Sequence, residues 1–150
     1  MVAPILNELI GFNYRMTDLH AAIGRVQLKK IHKYNSQRVK NAAFFNANLN
    51  GVELPIPPIG YKHVYHQYTI RVLGHNRDRF VAELEKLGIG TGVYYPTPIH
   101  LLPAYKRSER LKETESACQE VISIPVHPRL TPKELHHIST AVNKVARAGA

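Results

Sequence analysis

Residues 64–88 read VYHQYTIRVLGHNRDRFVAELEKLG and contain a clear strand-to-helix transition. The β-branched and aromatic residues between 64 and 73 predict a strand. Asn76 is a good helix cap, Phe80 and Leu84 then share one helical face, and the closing glycine is a natural helix stop. A strand followed directly by an amphipathic helix predicts a sheet with a helix packed on it.

A second helical pattern precedes this unit. Thr17 and Asp18 can cap a helix start, and apolar residues continue at near-helical spacing to a stop signal at residues 50–51. The pattern allows one long helix, or two helices that break near residues 34–36. A proline-rich, turn-containing connection at residues 55–60 then leads into the predicted strand.

The remaining elements follow the first unit in chain order. They are predicted as a short strand, a stiff proline-rich loop, a helix, a strand fragment and a terminal helix, at residues 89–95, 96–105, 111–121, 122–125 and 131–145. Thr131-Pro132-Lys133-Glu134 is a capping box with proline at the first helical position. The order predicts an α+β (α/β layered) fold, with a long N-terminal helix and a small, mostly antiparallel sheet covered by helices.

The composition fits one globular domain or part of a larger one. The chain has 150 residues, of which 44% are hydrophobic, and a formal net charge of +9. The basic excess favours anionic partners, but the basic residues are dispersed and form no nucleic-acid reading motif, so nucleic acid is not the expected partner. No apolar stretch reaches the roughly 18–20 residues that span a bilayer. No secretory signal is visible either, so we expect a cytoplasmic protein with no membrane partner.

Generic catalytic and metal-binding patterns are absent from the sequence. There is no phosphate-binding P-loop, no dinucleotide fingerprint and no evident pair of acidic catalytic residues. Cys118 has no histidine nearby in sequence and is expected to pack as a small hydrophobic residue. His63 and His66 have no thiol or carboxylate cluster beside them, and the adjacent His136 and His137 diverge on a helix. We therefore predict no metal site and assign no catalytic residue.

Two segments are candidates for ligand binding. Residues 11–16 read GFNYRM and place Asn13 and Arg15 just before a capped helix, where an amide, a guanidinium and the helix dipole suit an anion. The alternative is a loop in which Asn13 supports a turn and Arg15 is solvated. Residues 94–100 read YYPTPIH, a rigid loop that can present a phenol and an imidazole to a ligand. The alternative is aromatic packing beneath the prolines, and spacing alone leaves both questions open.

Several separate motifs carry a resemblance to one family. The stretches GFNYRMTD at 11–18, HQYTIRV at 66–72, GIGTG at 88–92 and YPTPIH at 95–100 resemble the DegT–StrS family of sugar aminotransferases, which use pyridoxal phosphate (PLP). The likeness spans residues 9–145. It implies transfer of an amino group from glutamate to a keto sugar carried on a nucleoside diphosphate. It also implies the aspartate-aminotransferase type of fold, with a large PLP domain and a small C-terminal domain.

The resemblance also implies site residues and an assembly. In this family the residue matching Asn13 reaches across a homodimer to the cofactor phosphate, and the one matching Arg15 lies close by. The stretch matching Tyr95 and His100 lines the sugar-nucleotide pocket. Asn13 and Arg15 are therefore expected to contact PLP, and Tyr95 and His100 to contact the nucleotide sugar.

The lysine that PLP chemistry requires is missing from the matching motifs. The family places its Schiff-base lysine in the large domain, upstream of the Asn13 segment, and no lysine here stands in that motif. The resemblance therefore implies the C-terminal part of the enzyme. Residues 1–50 would be the edge of the large domain and a long connecting helix, and residues 51–150 the small domain.

This assignment has consequences for activity and partners. By itself the chain is expected to be inactive and to bind no PLP, and a companion chain carrying the large domain is an expected partner. The alternative is a non-enzymatic binding module that keeps the small-domain fold and binds an acidic protein or nucleic acid through the exposed seam.

Overall fold

The structure is a computed structural model that describes residue 11 and residues 15–105 and 107–148. Within these residues it contains five α-helices, two β-strands and one short 3₁₀ helix. The bounds are α1 Asp18–Leu28, α2 Ile31–Asn48, β1 Tyr68–Arg71, α3 Arg77–Lys86, the 3₁₀ helix Ile99–Leu101, α4 Lys112–Glu120, β2 Val121–Ile124 and α5 Pro132–Ala148. No helix in this part of the chain is both long enough and apolar enough to cross a membrane.

The helix starts that the sequence predicts are confirmed by their caps. The side chains of Thr17 and Asn76 each accept a hydrogen bond from the backbone amide three residues later. In the capping box the amide of Thr131 donates to Oε2 of Glu134 at 2.7 Å. This hydrogen bond, with a second from the Thr131 hydroxyl, holds the pKa of Glu134 below its usual value. Such caps depend on neighbours in the sequence, which is why the pattern reveals them.

The predicted long N-terminal helix is wrong, and so is the alternative break near residues 34–36. The chain instead breaks at Lys29 and Lys30, where the amide of Lys30 bonds the carbonyl of Gln27 at 2.9 Å and tightens the last turn of α1. The two helices also differ in burial. No residue of α1 is buried, whereas α2 buries Asn41, Ala42 and Phe45. Residues 34–36 stay helical because they belong to the packed helix α2.

The sheet is small and antiparallel, as predicted. Tyr68 of β1 pairs with Ile124 of β2, and Arg71 pairs with Val121. The strand is shorter than predicted because Tyr65 adopts a φ of 49° just before it, and this left-handed conformation takes the chain out of the extended direction. Helices α2, α3 and α5 pack with the sheet around a core whose fully buried side chains include Phe45, Tyr68, Ile70, Leu84, Ile122 and Val142. The α+β class is confirmed.

The predicted strand at residues 89–95 is wrong. This stretch makes a single bridge to β2, between Gly92 and Ser123. The ring of Tyr94 folds back over Gly92, so that a Cβ on this glycine would lie 2.8 Å from the ring. The backbone bends at Tyr94, two residues after this bridge, and does not continue as a regular strand.

An ion pair joins the sheet to α4. Nε and Nη2 of Arg71 donate to Oε2 of Glu120 at 3.0 and 2.6 Å, and the Ser116 hydroxyl donates to Oε1 at 2.7 Å. The hydrogen bond from Ser116, followed by the contact with Arg71, holds the pKa of Glu120 below its usual value. The pair therefore favours the ionised carboxylate in the folded state.

Replacing Glu120 with glutamine is expected to lower the free energy of unfolding by about 1 kcal/mol at pH 7. Because the folded state lowers the pKa of Glu120, this stabilisation is complete well above the unfolded value of about 4.3 and is lost as the pH falls through the folded pKa. Urea unfolding between about pH 7 and pH 3 should show the variant and the parent converging at low pH. Glu85→Gln, on an exposed position of α3, is the matched control and should leave the midpoint unchanged. A constant difference between Glu120→Gln and the parent at all pH values would contradict this account.

Candidate functional site

A cleft of about 560 Å³ is formed by the proline-rich loop and the segment that leads into α4. We call it the Tyr95–His100 cleft, because it brings these two predicted site residues together. Its volume lies within the usual range for small-molecule sites, about 300–1,000 Å³. The lining residues are Tyr95, Thr97, Ile99, His100, Tyr105, Arg107, Glu109, Leu111, Thr114 and Cys118.

The open side of this cleft is aromatic and aliphatic. Tyr95 is 64% exposed, and Tyr105 and Leu111 are each close to half exposed. Large apolar side chains left open around a few polar groups are typical of a surface that packs on a ligand ring. A tyrosine adds a hydroxyl that can hydrogen-bond the same ligand.

His100 is the buried polar residue of the cleft wall. Its side chain is 8% exposed, and its Nε2 lies 3.5 Å from Oε1 of Glu115. That separation is too long for a good hydrogen bond, and Nε2 has no hydrogen-bond partner within the described residues. The same Glu115 oxygen accepts a hydrogen bond from the amide of Leu111 at 2.8 Å, so the carboxylate is held in place. A buried, unpaired imidazole nitrogen is costly, which makes this position a candidate for function.

The loop that carries His100 is ordered by backbone hydrogen bonds. The amide of Arg107 donates to the carbonyl of His100 at 3.1 Å and closes the loop. The three prolines were expected to exclude a regular helix, and the described part of this loop contains one 3₁₀ turn, at Ile99–Leu101. Pro98 precedes that turn with a φ of −55°, which is the conformation proline already prefers.

The helix α4, which forms another wall of the cleft, is contacted by a largely buried arginine that does not itself line the cleft. The Arg77 side chain is 9% exposed and its Nη1 donates at 3.0 Å to the carbonyl of Cys118, in the last turn of α4. A cation at this end of a helix is favourable. Cys118 is buried, and burial raises the pKa of its thiol, so it packs as a small hydrophobic residue, as predicted.

Sequence reasoning missed most of this second wall. Leu111, Thr114 and Cys118 recur at intervals of three and four residues, so the helical periodicity of α4 could have placed them on one face. Tyr105 and Arg107 carry no such signal, because they lie in an irregular segment. Their place in the cleft follows from the closure of the loop onto His100.

Of the two predicted cofactor residues, the structure describes Arg15. Arg15 is exposed and lies two residues before the Thr17 cap of α1, and it is not among the residues that line the Tyr95–His100 cleft. Asn13 lies outside the described residues. The roles of these two residues toward a phosphate therefore remain predictions.

The described cleft residues do not fit covalently held PLP. Such a cofactor needs a lysine amine, and no lysine is among the residues that line the cleft in the described part of the chain. The guanidinium of Arg15 could bind the phosphate of PLP but cannot hold the cofactor covalently.

The comparisons of this sequence with known proteins agree with one another. The profile of the DegT/DnrJ/EryC1/StrS aminotransferase family matches residues 2–143. A pleiotropic regulatory protein of Geobacillus stearothermophilus is 34% identical over 149 residues, and the match covers 93% of this chain and 39% of that protein. The UDP-N-acetyl-3-dehydro-alpha-D-glucosamine 3-aminotransferase of Acidithiobacillus ferrooxidans is 30% identical over 142 residues, with coverages of 92% and 38%.

Comparison with a solved structure gives the same result as the sequence comparisons. DesV of S. venezuelae superposes with a TM-score of 0.80 at 29% sequence identity, over 97% of this chain and 41% of that one. The chain thus spans about two fifths of the length of the proteins it matches. Because the family profile covers nearly every residue of this sequence, the chain belongs to the DegT/DnrJ/EryC1/StrS aminotransferase family.

Proposed function

We propose that this chain is the C-terminal, small-domain part of a cytoplasmic PLP-dependent aminotransferase that moves an amino group from glutamate to a nucleotide-linked keto sugar. The observation that carries the proposal is the Tyr95–His100 cleft, where an exposed aromatic ring and a buried, unpaired imidazole share one wall. The name of the A. ferrooxidans relative, an aminotransferase of a UDP-linked keto sugar, supports the substrate class. The small number of polar groups among apolar walls suits a hydroxylated ring.

Within this cleft different side chains bind different parts of the substrate. The ring of Tyr95 packs on the sugar or base of the substrate. Nε2 of His100 has no hydrogen-bond partner within the described residues, so the imidazole can hydrogen-bond a sugar hydroxyl. Arg107 is 64% exposed, with Nη1 3.6 Å from Glu109, and it offers a cation to the diphosphate.

The exposed face of α1 supports a larger assembly. Met16, Leu19, Ile23 and Val26 are each at least half exposed, and they recur at helical spacing. An apolar stripe of this kind ordinarily packs against another surface. We propose that it packs against the large PLP domain, in a homodimer with shared active sites, and that this domain supplies the Schiff-base lysine. Asn13 and Arg15 would then face the cofactor phosphate.

Nucleotide-sugar binding tests the proposal. Tyr95→Ala is expected to weaken binding of UDP-N-acetylglucosamine to this chain about fivefold or more, because stacking on an aromatic ring is worth about 1 kcal/mol beyond buried area. Isothermal titration or NMR shift titration gives the affinity. The matched control is Tyr61→Ala, since Tyr61 is 76% exposed and lies outside the cleft lining.

A different pattern would favour the non-enzymatic module. Binding of heparin or RNA that falls steeply between about 50 and 200 mM salt, together with no nucleotide-sugar binding, would point to polyanion recognition by the basic surface. Equal affinities of Tyr95→Ala and Tyr61→Ala for the nucleotide sugar would likewise overturn the assignment of the cleft.

A further inference from the structure

A groove of about 290 Å³ lies between helices α3 and α5. Its lining comes from within residues 74–87, on and beside α3, and from within residues 144–148, at the end of α5. We call it the α3–α5 groove. It shares no lining residue with the Tyr95–His100 cleft, and none of its lining residues lies in the stretches that carry the family resemblance. The proposed transamination therefore leaves this groove without a role.

The floor of the α3–α5 groove is apolar. Phe80 is 2% exposed, and Leu87 and Val145 are partly buried against the core. The ring of His75 meets the ring of Phe80 edge to face, with the two centroids 5.6 Å apart. The volume of the groove is just below the range of about 300–1,000 Å³ that is usual for small-molecule sites. The floor therefore has room for an apolar side chain rather than for a whole cofactor.

The rim around this floor is mainly cationic. Arg79, Lys86 and Lys144 are all exposed and all line the groove, and His75 adds a further positive charge when it is protonated. Glu83 is the one carboxylate among the described residues of the lining. An excess of cations over carboxylates favours an anionic partner.

Arg79 and Lys144 are available to such a partner. Among the described residues, neither of them takes part in an ion pair. Nζ of Lys86, in contrast, donates to Oε1 of Glu83 at 2.7 Å. This hydrogen bond and the charge of Lys86, followed by the charge of Arg79, hold the pKa of Glu83 below its usual value. Glu83 is therefore an ionised carboxylate in the middle of the rim.

The spacing of these charges along α3 selects the kind of anion. Arg79 and Lys86 are seven positions apart, which places them on one face of the helix and about 10 Å apart along its axis. Glu83 lies between them on the same face. A compact anion such as phosphate, held between the two cations, would meet the Glu83 carboxylate. The groove therefore suits negative charges that are two helical turns apart, with an uncharged group between them.

The two walls of the groove are held at a fixed separation. Nε2–H of His137, on α5, donates to the carbonyl of Leu87 at 3.0 Å, just beyond the end of α3. Leu84 of α3 and Val142 of α5 are fully buried in the same core. A groove that is already formed in the free protein needs little ordering when a partner binds.

We propose that the α3–α5 groove binds an acidic amphipathic helix of a partner protein. Such a helix carries two carboxylates seven positions apart and one apolar side chain between them. The carboxylates pair with the cations of the rim, and the apolar side chain packs on Leu87 and Val145, in the helix-in-groove mode of recognition. The inference goes beyond the proposed function and does not depend on it, because it uses no residue of the Tyr95–His100 cleft.

Binding of a designed peptide to the 150-residue chain tests this proposal. The probe is a fluorescently labelled, end-capped, alanine-based helical peptide that carries a glutamate, a leucine three residues later and a second glutamate four residues after the leucine. Arg79→Gln combined with Lys144→Gln is expected to weaken its binding about tenfold in fluorescence anisotropy, because exposed ion pairs are lost. Both side chains are exposed, so the double variant should fold like the parent, which circular dichroism checks.

The matched control is Lys133→Gln combined with Arg147→Gln. These two substitutions remove the same charge from exposed positions of α5 that are outside the lining of the groove. The control variant should bind the leucine peptide like the parent. No binding of this peptide to the parent, or an equal loss of affinity in the two double variants, would overturn the proposal.

A second peptide separates this arrangement from general attraction to a basic protein. Its central leucine is replaced by glutamate, which adds one negative charge. Net charge alone would tighten its binding, whereas the groove should bind it more weakly, because the new carboxylate meets Glu83 and the apolar contact is lost. Glu83→Gln should recover part of the lost affinity.

Two further outcomes would contradict the proposal. Tighter binding of the second peptide would show attraction by net charge alone. Binding of a single-stranded RNA that depends on Arg79 and Lys144, without binding of the leucine peptide, would make the groove a nucleic-acid surface. Neither result would bear on the nucleotide-sugar assignment, which is tested by Tyr95→Ala.

Discussion

Replacing Leu19 and Ile23 of α1 together with serine is expected to weaken binding of this chain to a polypeptide carrying the large PLP domain by about a hundredfold or more. The two side chains are 70% and 51% exposed. Burying an aliphatic side chain of this size is worth about 1.5–3 kcal/mol, and each 1.4 kcal/mol changes affinity tenfold. Losing both contacts at an interface therefore removes most of the binding free energy that the apolar stripe contributes.

The same double variant should leave the isolated chain almost as stable as the parent. Both side chains already face water, and surface substitutions of this kind change the free energy of unfolding by about 0.5 kcal/mol or less. Urea unfolding measures the stability, and isothermal titration against the large-domain polypeptide measures the association. Arg25→Ser, on the same helix but away from the apolar stripe, is the control and should bind normally. Unchanged affinity of the double variant would show that α1 is not the contact.

Mixed with PLP, glutamate and a nucleotide-linked keto sugar, the chain alone is expected to give no turnover. Transamination with PLP would need a lysine to hold the cofactor and to move the proton. The described residues that line the Tyr95–His100 cleft include no lysine. Residues that bind a substrate cannot catalyse transamination without this lysine.

Formation of 2-oxoglutarate from glutamate is the direct measurement, and mass spectrometry after borohydride reduction detects any lysine joined to the cofactor. A full-length member of the family, active under the same conditions, is the control. Turnover that disappears when one lysine of this chain is replaced by alanine would refute the small-domain assignment.

Local features were the most predictable part of the fold. The caps at Thr17, Asn76 and Thr131 all lie where the pattern placed them, because a cap is a contact between residues three positions apart. The strand that contains Tyr68 and its antiparallel partner were predicted for a similar reason, since β-branched and aromatic residues cluster there.

Features that depend on distant neighbours were predicted less well. Residues 89–95 have strand-like composition, but they pair with β2 at Gly92 only. No glycine or proline stands at the helix break, which lies at Lys29 and Lys30, so the sequence gives no signal for it. In both places the packing of distant surfaces decides the backbone conformation, because burial outweighs the local preference for helix or strand.

The helix starts, the proline loop and the family motifs can be recognised from the residues alone, because they rest on backbone preferences and on residues close together in the chain. Packing between distant elements brings Cys118 and Leu111 into one cleft with Tyr95 and His100, and places Arg38 beside His66 and His127. The hydrophobic effect that drives such packing is non-directional. A periodic pattern therefore shows which face of an element is buried, whereas its partner across the core is chosen by how all the elements fit together.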